Sequence, residues 1–180
     1  MKNMKRRIII YHGDGEGKTS AAIGHAIRAI GHGSSVFIIH FMKGRKDTGE
    51  YKFFRAISSL LEDIYIEIVL TGPSQFLKDI SETKKHRECV LDGLNKVRDA
   101  IISGKYDMII LDEILYATKF GLIDESEIIE ILDLGKNITY ILTGRDPPLS
   151  IIKRADIITE MINTRHHYDE DRSTDPAIDY

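Results

Sequence analysis

"RRIIIYHGDGEGKTSAAIGHAIRAIG", residues 6–31, is the stretch on which the fold turns. An apolar run gives way to glycines at alternate positions, Gly13, Gly15 and Gly17, and then to a helical segment opened by Lys18, Thr19 and Ser20. Glycines let the backbone curl so that several N–H groups point inward, and a helix start adds its positive end, which together make an anion cradle. The common G-x-x-x-x-G-K-[ST] spacing would put its first glycine at position 12. That position holds His12, so the loop is one residue short and begins at Gly13. Lys18 supplies a mobile cation, expected to face solvent until a ligand arrives, and the Thr19 hydroxyl is placed to ligate a phosphate-bound Mg²⁺. A glycine-rich turn that binds nothing is the competing reading, and the Gly-Lys-Thr opening of the helix argues against it.

Working outward, apolar runs alternate with helical periodicity. Residues 6–12, 34–42, 64–70, 106–113, 137–144 and 155–162 read as strands, most of them near-continuous Ile, Val and Leu. Such runs suit strands covered on both faces. Residues 18–31 carry Ile23, Ile27 and Ile30 on one stripe. Residues 81–103 place Val90, Leu94, Val97 and Ile101 on one helical face, with Ser81 as N-cap and Gly104 as stop. Residues 124–135 open on acids, which suit a helix N-terminus. Strand, helix, strand repeated in this way predicts an α/β doubly wound, mostly parallel sheet of the P-loop NTPase-like (RecA-like) kind, in one domain spanning 1–180.

Two further segments leave strand ends, where ligands collect in open α/β sheets. "MIILDE" ends in Asp112 and Glu113, carboxylates that can reach a metal held by the loop. The alternative is that they cap the next helix or form a surface pair. "LTGRDPP" presents Arg145, suited to neutralising a polyphosphate or to serving as a turn arginine. His25 and His32 read as structural. His166 and His167 are adjacent and on an extended chain face opposite ways, a poor metal pair. Cys89 reads as packing.

Composition narrows the classes. The 180 residues are 42% hydrophobic and 29% charged, with net charge −3, which gives no electrostatic reason to expect nucleic acid. Lys2, Lys5, Arg6 and Arg7 form a short basic start that reads as a solvated end. A single cysteine leaves no disulfide framework or cysteine-built zinc site. No apolar run approaches the ~20 residues of a membrane span, and no signal-peptide core is present, so no membrane partner and a cytoplasmic location are expected. Residues and spacing thus reach a Mg²⁺-dependent nucleotide site, with hydrolase, kinase and other transferase chemistry open.

Nearly the whole chain resembles the P-loop type of corrinoid adenosyltransferase. The resemblance is carried by "GDGEGKTSAAIGHAIRAIGHG" (13–33), "FMKG" (41–44) followed by "TGE" (48–50), "LTG" (70–72), "YDMIILDEILYA" (106–117), "LTGR" (142–145), "ADIITEM" (155–161) and "AIDY" (177–180). The shortened loop is part of that pattern. Glu16, an acid where relatives carry a base, and "PSQF" (73–76), where relatives offer aromatics, depart from it.

The resemblance implies ATP as cosubstrate, Mg²⁺ (or Mn²⁺) as metal, and transfer of the 5′-deoxyadenosyl group to the Co(I) of a reduced corrinoid, with triphosphate leaving. It implies ATP binding by Gly13, Asp14, Gly15, Glu16, Gly17, Lys18, Thr19, Ser20 and Arg145, with Lys18 and Arg145 catalytic. Thr19 and Glu113 match the family's metal positions, and Asp112 stands behind them. Phe41, Lys43 and Phe76 are expected at the corrinoid. An electron donor for Co(II) reduction and a homodimer are the further implied partners. A non-catalytic nucleotide- or corrinoid-binding module, or a generic P-loop ATPase or kinase, is the alternative.

Overall fold

A computed structural model describes residues 6–72 and 83–165. Phe76, Ser81, His166, His167, the basic residues Lys2 and Lys5, and the terminal "AIDY" lie outside the described residues.

Six strands form one sheet: β1 (Arg7–His12), β2 (Val36–Phe41), β3 (Ile66–Thr71), β4 (Met108–Asp112), β5 (Thr139–Gly144) and β6 (Ile157–Glu160). Their spatial order is β3-β2-β4-β5-β1-β6, and every pairing is parallel. The expected doubly wound α/β sheet is therefore present, fully parallel among the described residues. All the strand C-terminal ends gather at one edge, and β5 separates β1 from β4.

The two-residue period of a strand explains how continuous apolar runs serve two cores. Ile8, Ile10, Phe37, Ile39, Phe41, Ile109, Leu111, Tyr140 and Leu142 pack on one face. They meet α3 (Thr83–Ser103), α4 (Ile114–Lys119) and α5 (Glu125–Leu134) through Val90, Leu94, Val97, Leu115, Ile128 and Ile131. Ile9, Val36, Ile38, Ile68, Ile110 and Ile141 pack on the other. There they meet α1 (Lys18–Gly31) and α2 (Gly49–Ile57) through Ala22, Ala26 and Phe54. A short α6 (Leu149–Ile152) precedes β6.

The stripe expected on α1 is displaced. Ala22 and Ala26 are fully buried, whereas Ile27 is 50% exposed. Small side chains let this helix lie close to the sheet, with Ile23 and Ile30 packed at its margins. On α3 the expected face holds: Val90, Leu94, Val97 and Ile101 are all buried, and Gly104 ends the helix at φ +65°. On α5 the Glu127 carboxylate accepts from the backbone N–H of Asp124 at 2.9 Å, closing the helix start. Among the described residues no helix is long and apolar enough to cross a membrane.

Candidate functional site

The loop between β1 and α1 is shaped by close approach as much as by glycine φ angles. Gly13 and Gly17 sit at φ +109° and +98°, a region costly for residues with a Cβ. Gly15 is fixed differently. Its N–H donates to the Met161 carbonyl at 2.7 Å, and a Cβ there would lie 2.7 Å from the carbonyl carbon of Met161. Met161 N–H in turn donates to the His12 carbonyl at 2.7 Å, so the residue just past β6 is stitched to both ends of the loop's first half. Glu16 is exposed, next to the buried Gly15.

Lys18 departs from expectation. It is only 9% exposed, and its ammonium donates to the Gly15 carbonyl at 2.6 Å. The cation is folded back onto the loop's own oxygen. Burial lowers its pKa below the ordinary lysine value, with the negative charge of Glu113 opposing that shift.

Opposite the loop stands the end of β4. Asp112 is fully buried and accepts four hydrogen bonds. Thr19 Oγ1 (2.9 Å) and Thr143 Oγ1 (2.7 Å) donate to Oδ1, while Lys43 Nζ (2.9 Å) donates to Oδ2. His40 Nδ1 lies 2.7 Å from the same Oδ2. Burial pushes this carboxyl toward its neutral form, but Lys43, His40 and the hydrogen bonds outweigh it and hold Asp112 well below the usual carboxylate range. A carboxylate so fully engaged orients its neighbours rather than reaching a ligand.

Glu113 has the opposite character. It occupies the left-handed region at φ +65°, uncommon for a non-glycine residue and of a kind that clusters at functional sites. Its Oε2 is buried with no hydrogen-bond partner, and Oε1 lies 3.6 Å from Lys43 Nζ. Burial raises its pKa, and the negative charge of Asp112 adds to the effect. The backbone N–H of Glu113 donates to Thr143 Oγ1 at 2.8 Å, tying β4 to β5 at the level of the loop.

Arg145, just beyond β5, pairs with Asp14 of the loop at 2.6 Å and stands over the Tyr116 ring at 5.6 Å. The structure thus brings the loop, Thr19, Glu113 and Arg145 to one edge of the sheet. Phe41 lies at the end of β2. Expected at the corrinoid, it is fully buried in the core of this structure, packed against Gly93 of α3. Lys43 is turned inward onto Asp112 and Glu113.

Sequence reasoning passed over His40, Thr143, Tyr116 and Met161. His40 did leave a signal, a polar residue inside the otherwise apolar "VFIIHF" of β2. Met161 ends the quoted "ADIITEM", but its contribution to the loop is through backbone atoms, which its side-chain type does not reveal.

The donor set suits a hard divalent cation: a hydroxyl at Thr19 and a carboxylate oxygen at Glu113 that has no other partner. Among the described residues no group of three or more His, Cys, Asp or Glu could hold a metal by itself. Phosphate oxygens and water would complete the coordination, as is usual for Mg²⁺.

A parallel sheet with a lysine-bearing glycine loop beside an acidic strand end is consistent with the P-loop NTPase-like class of α/β folds. Within that class the chain belongs to the ATP:corrinoid adenosyltransferase family (BtuR/CobO/CobP), whose sequence model matches residues 4–180. It is 29% identical to the corrinoid adenosyltransferase of Escherichia coli over 176 residues, covering 96% of this chain and 85% of that protein. It is also 29% identical to the corrinoid adenosyltransferase CobA of Salmonella typhimurium, over the same shares of each. The corrinoid adenosyltransferase of Pseudomonas aeruginosa is 27% identical over 89% of this chain and 77% of its own length.

Proposed function

We propose that this chain transfers the 5′-deoxyadenosyl group of ATP to the Co(I) of a reduced corrinoid. The observation that carries the reading is a loop-and-carboxylate site of the kind just described in a chain matched by the adenosyltransferase family over residues 4–180. Co(I) is the nucleophile. It donates an electron pair to C5′ and forms the Co–C bond as the C5′–O bond breaks, and the pair in that bond leaves with triphosphate. No protein base has to activate water, so the chain's tasks are alignment and charge stabilisation.

The residues divide these tasks. Backbone N–H groups from Gly13 to Ser20 hold phosphate oxygens, and Lys18 exchanges the Gly15 carbonyl for a phosphate. Arg145 leaves Asp14 for the triphosphate while Tyr116 supports its guanidinium plane. Thr19 and Glu113 hold Mg²⁺ (or Mn²⁺), which supplies charge neutralisation on the leaving group. Asp112 fixes the Thr19 hydroxyl from behind. An electron donor that reduces Co(II), a second copy of the chain over the site, and a cytoplasmic setting complete the reading. The second copy is tested by sedimentation at micromolar concentration, where a monomer alone would remove it.

The deciding experiment is anaerobic incubation with ATP, Mg²⁺ and chemically reduced cobalamin. Adenosylated corrinoid with stoichiometric triphosphate is expected. Orthophosphate or ADP would place the chain among ATPases or kinases, and nucleotide binding with no product would make it a binding module.

A further inference from the structure

Lys43 reaches in among the residues that would hold a metal. Its ammonium is 2.9 Å from Asp112 Oδ2, 3.6 Å from Glu113 Oε1 and 3.4 Å from Thr19 Oγ1. Two of these, Thr19 and Glu113, are the side chains that the metal-site reading joins around a cation, and Asp112 stands behind them. We propose that Lys43 is a built-in competitor for that cation: it fills the site in the ligand-free chain and must be displaced when Mg²⁺ enters together with the phosphates of ATP. The proposal rests on the metal-site reading above and adds to it an order of events and a selectivity, in which the bare ion is rejected and the metal–nucleotide complex admitted.

Three observations support the exchange. Of the four partners of Asp112, Lys43 has room to withdraw that His40 and Thr143 lack, its side chain being 30% exposed while theirs are buried at 1% and 0%. Its departure leaves Asp112 with His40, Thr19 and Thr143, so the buried carboxylate is never stranded. Lys43 also lies outside regular structure, after Met42 at φ +57° and before α2, on a long flexible stem.

The selectivity follows from charge. An ammonium and a divalent ion drawn to the same carboxylates repel one another, so each weakens the hold of the site on the other. A bare ion must expel Lys43 into water and lose two ion pairs. A metal carried by triphosphate brings new anionic oxygens on which the displaced ammonium can settle, so the exchange conserves pairing.

The test measures Mn²⁺ binding without nucleotide, by electron paramagnetic resonance of the free ion and by the melting shift it causes. Lys43→Gln, which keeps a neutral donor toward Asp112, is expected to bind Mn²⁺ at least about tenfold tighter than the unaltered chain and to gain melting temperature with Mn²⁺ alone. Lys43→Arg, which keeps the cation, should stay as weak as the unaltered chain. If Lys43→Gln destabilises the ligand-free fold, the melting shift still reports binding, and Lys43→Met gives a second reading. Unchanged or weaker Mn²⁺ affinity in both neutral variants overturns the proposal. Glu113→Gln, assayed with Mn²⁺ and ATP together, separates the two failures. Loss of the metal's contribution there, with no gain in Lys43→Gln, overturns the competitor alone. No effect of Glu113→Gln overturns the metal site and the competitor with it.

Discussion

The amide of Gly15 donates to the carbonyl of Met161 at 2.7 Å, joining the phosphate loop to the residue that follows the edge strand β6. The contact leaves no room for a side chain, since a Cβ on Gly15 would lie within 2.8 Å of backbone atoms of both Met161 and Ile162. Gly15→Ala must therefore push the loop off β6 or push the 160s segment outward. Overpacking against backbone costs about 1–3 kcal/mol. In a chain of this size that is a loss of roughly 2–10 °C in melting temperature. ATP affinity should fall as well, because the same shift opens the cradle. A variant that melts normally and binds ATP normally would show that the loop is not held by this contact.

Lys18→Ala separates ligand binding from folding. The side chain is buried but unhappily charged, held by one carbonyl and opposed by desolvation. Removing it should leave the ligand-free melting temperature nearly unchanged. It deletes a charge-assisted hydrogen bond to phosphate, a contribution of about 1.5–3 kcal/mol, so ATP should bind roughly 10- to 100-fold more weakly in calorimetry. Collapse of the ligand-free melt would instead make Lys18 structural.

The architecture was legible because it depends on patterns with short periods. Ile8 to Ile10 and Ile109 to Leu111 read as buried strands from composition alone, and their alternate residues do divide between two cores. Gly104 stopped α3 where a φ of +65° was needed. The site was half legible. Lys18, Thr19, Glu113 and Arg145 lie at ends of elements whose order the sequence reveals. Their partners come from residues far apart in sequence, as with His40 and Thr143 converging on Asp112, and no local pattern encodes that convergence. The stripe on α1 was misread because hydrophobicity outranks size on paper, whereas packing against a sheet at close range favours Ala22 and Ala26 over Ile27. Phe41, expected at the corrinoid, packs with Phe37 and Ile39 on the face of β2 opposite His40, an alternation that the quoted motif does not display.

The strand before the loop and the helix after it are also joined by a pH-sensitive pair. Tyr11 Oη and His25 Nε2 lie 2.7 Å apart, and burial, with Arg28 adding, lowers the His25 pKa below its ordinary 6.5. The folded chain therefore favours the neutral ring, while the unfolded chain takes up a proton near the ordinary value. Stability from this group is complete above about pH 6.5 and is lost as pH falls from there through the lowered folded value. Acidifying from about pH 7.5 to about pH 5.5 should depress the melting temperature more in the unaltered chain than in His25→Gln. Equal depression in both would assign the acid sensitivity to other groups.

Glu113→Gln tests whether the site holds a carboxylate at the expense of the resting fold. In the ligand-free chain Glu113 is disfavoured in three ways: burial, the adjacent charge of Asp112, and a left-handed backbone at φ +65°. Lys43 relieves only part of this from 3.6 Å. Replacing the carboxylate by an amide removes the first two burdens at neutral pH while leaving shape and backbone alone. The ligand-free melting temperature should therefore stay level or rise. Binding of ATP without metal should change little, because loop N–H groups and Lys18 hold phosphate directly. The gain in ATP affinity on adding Mg²⁺ should shrink by about tenfold or more, since a cation loses its one charged protein ligand. The measurement is paired calorimetry with and without Mg²⁺, alongside thermal melts of the ligand-free protein. A carboxylate kept for folding would give the reverse, with a lower melting temperature and equal loss of affinity in both titrations. Only a residue kept for the metal gives a sturdier empty protein that responds poorly to Mg²⁺.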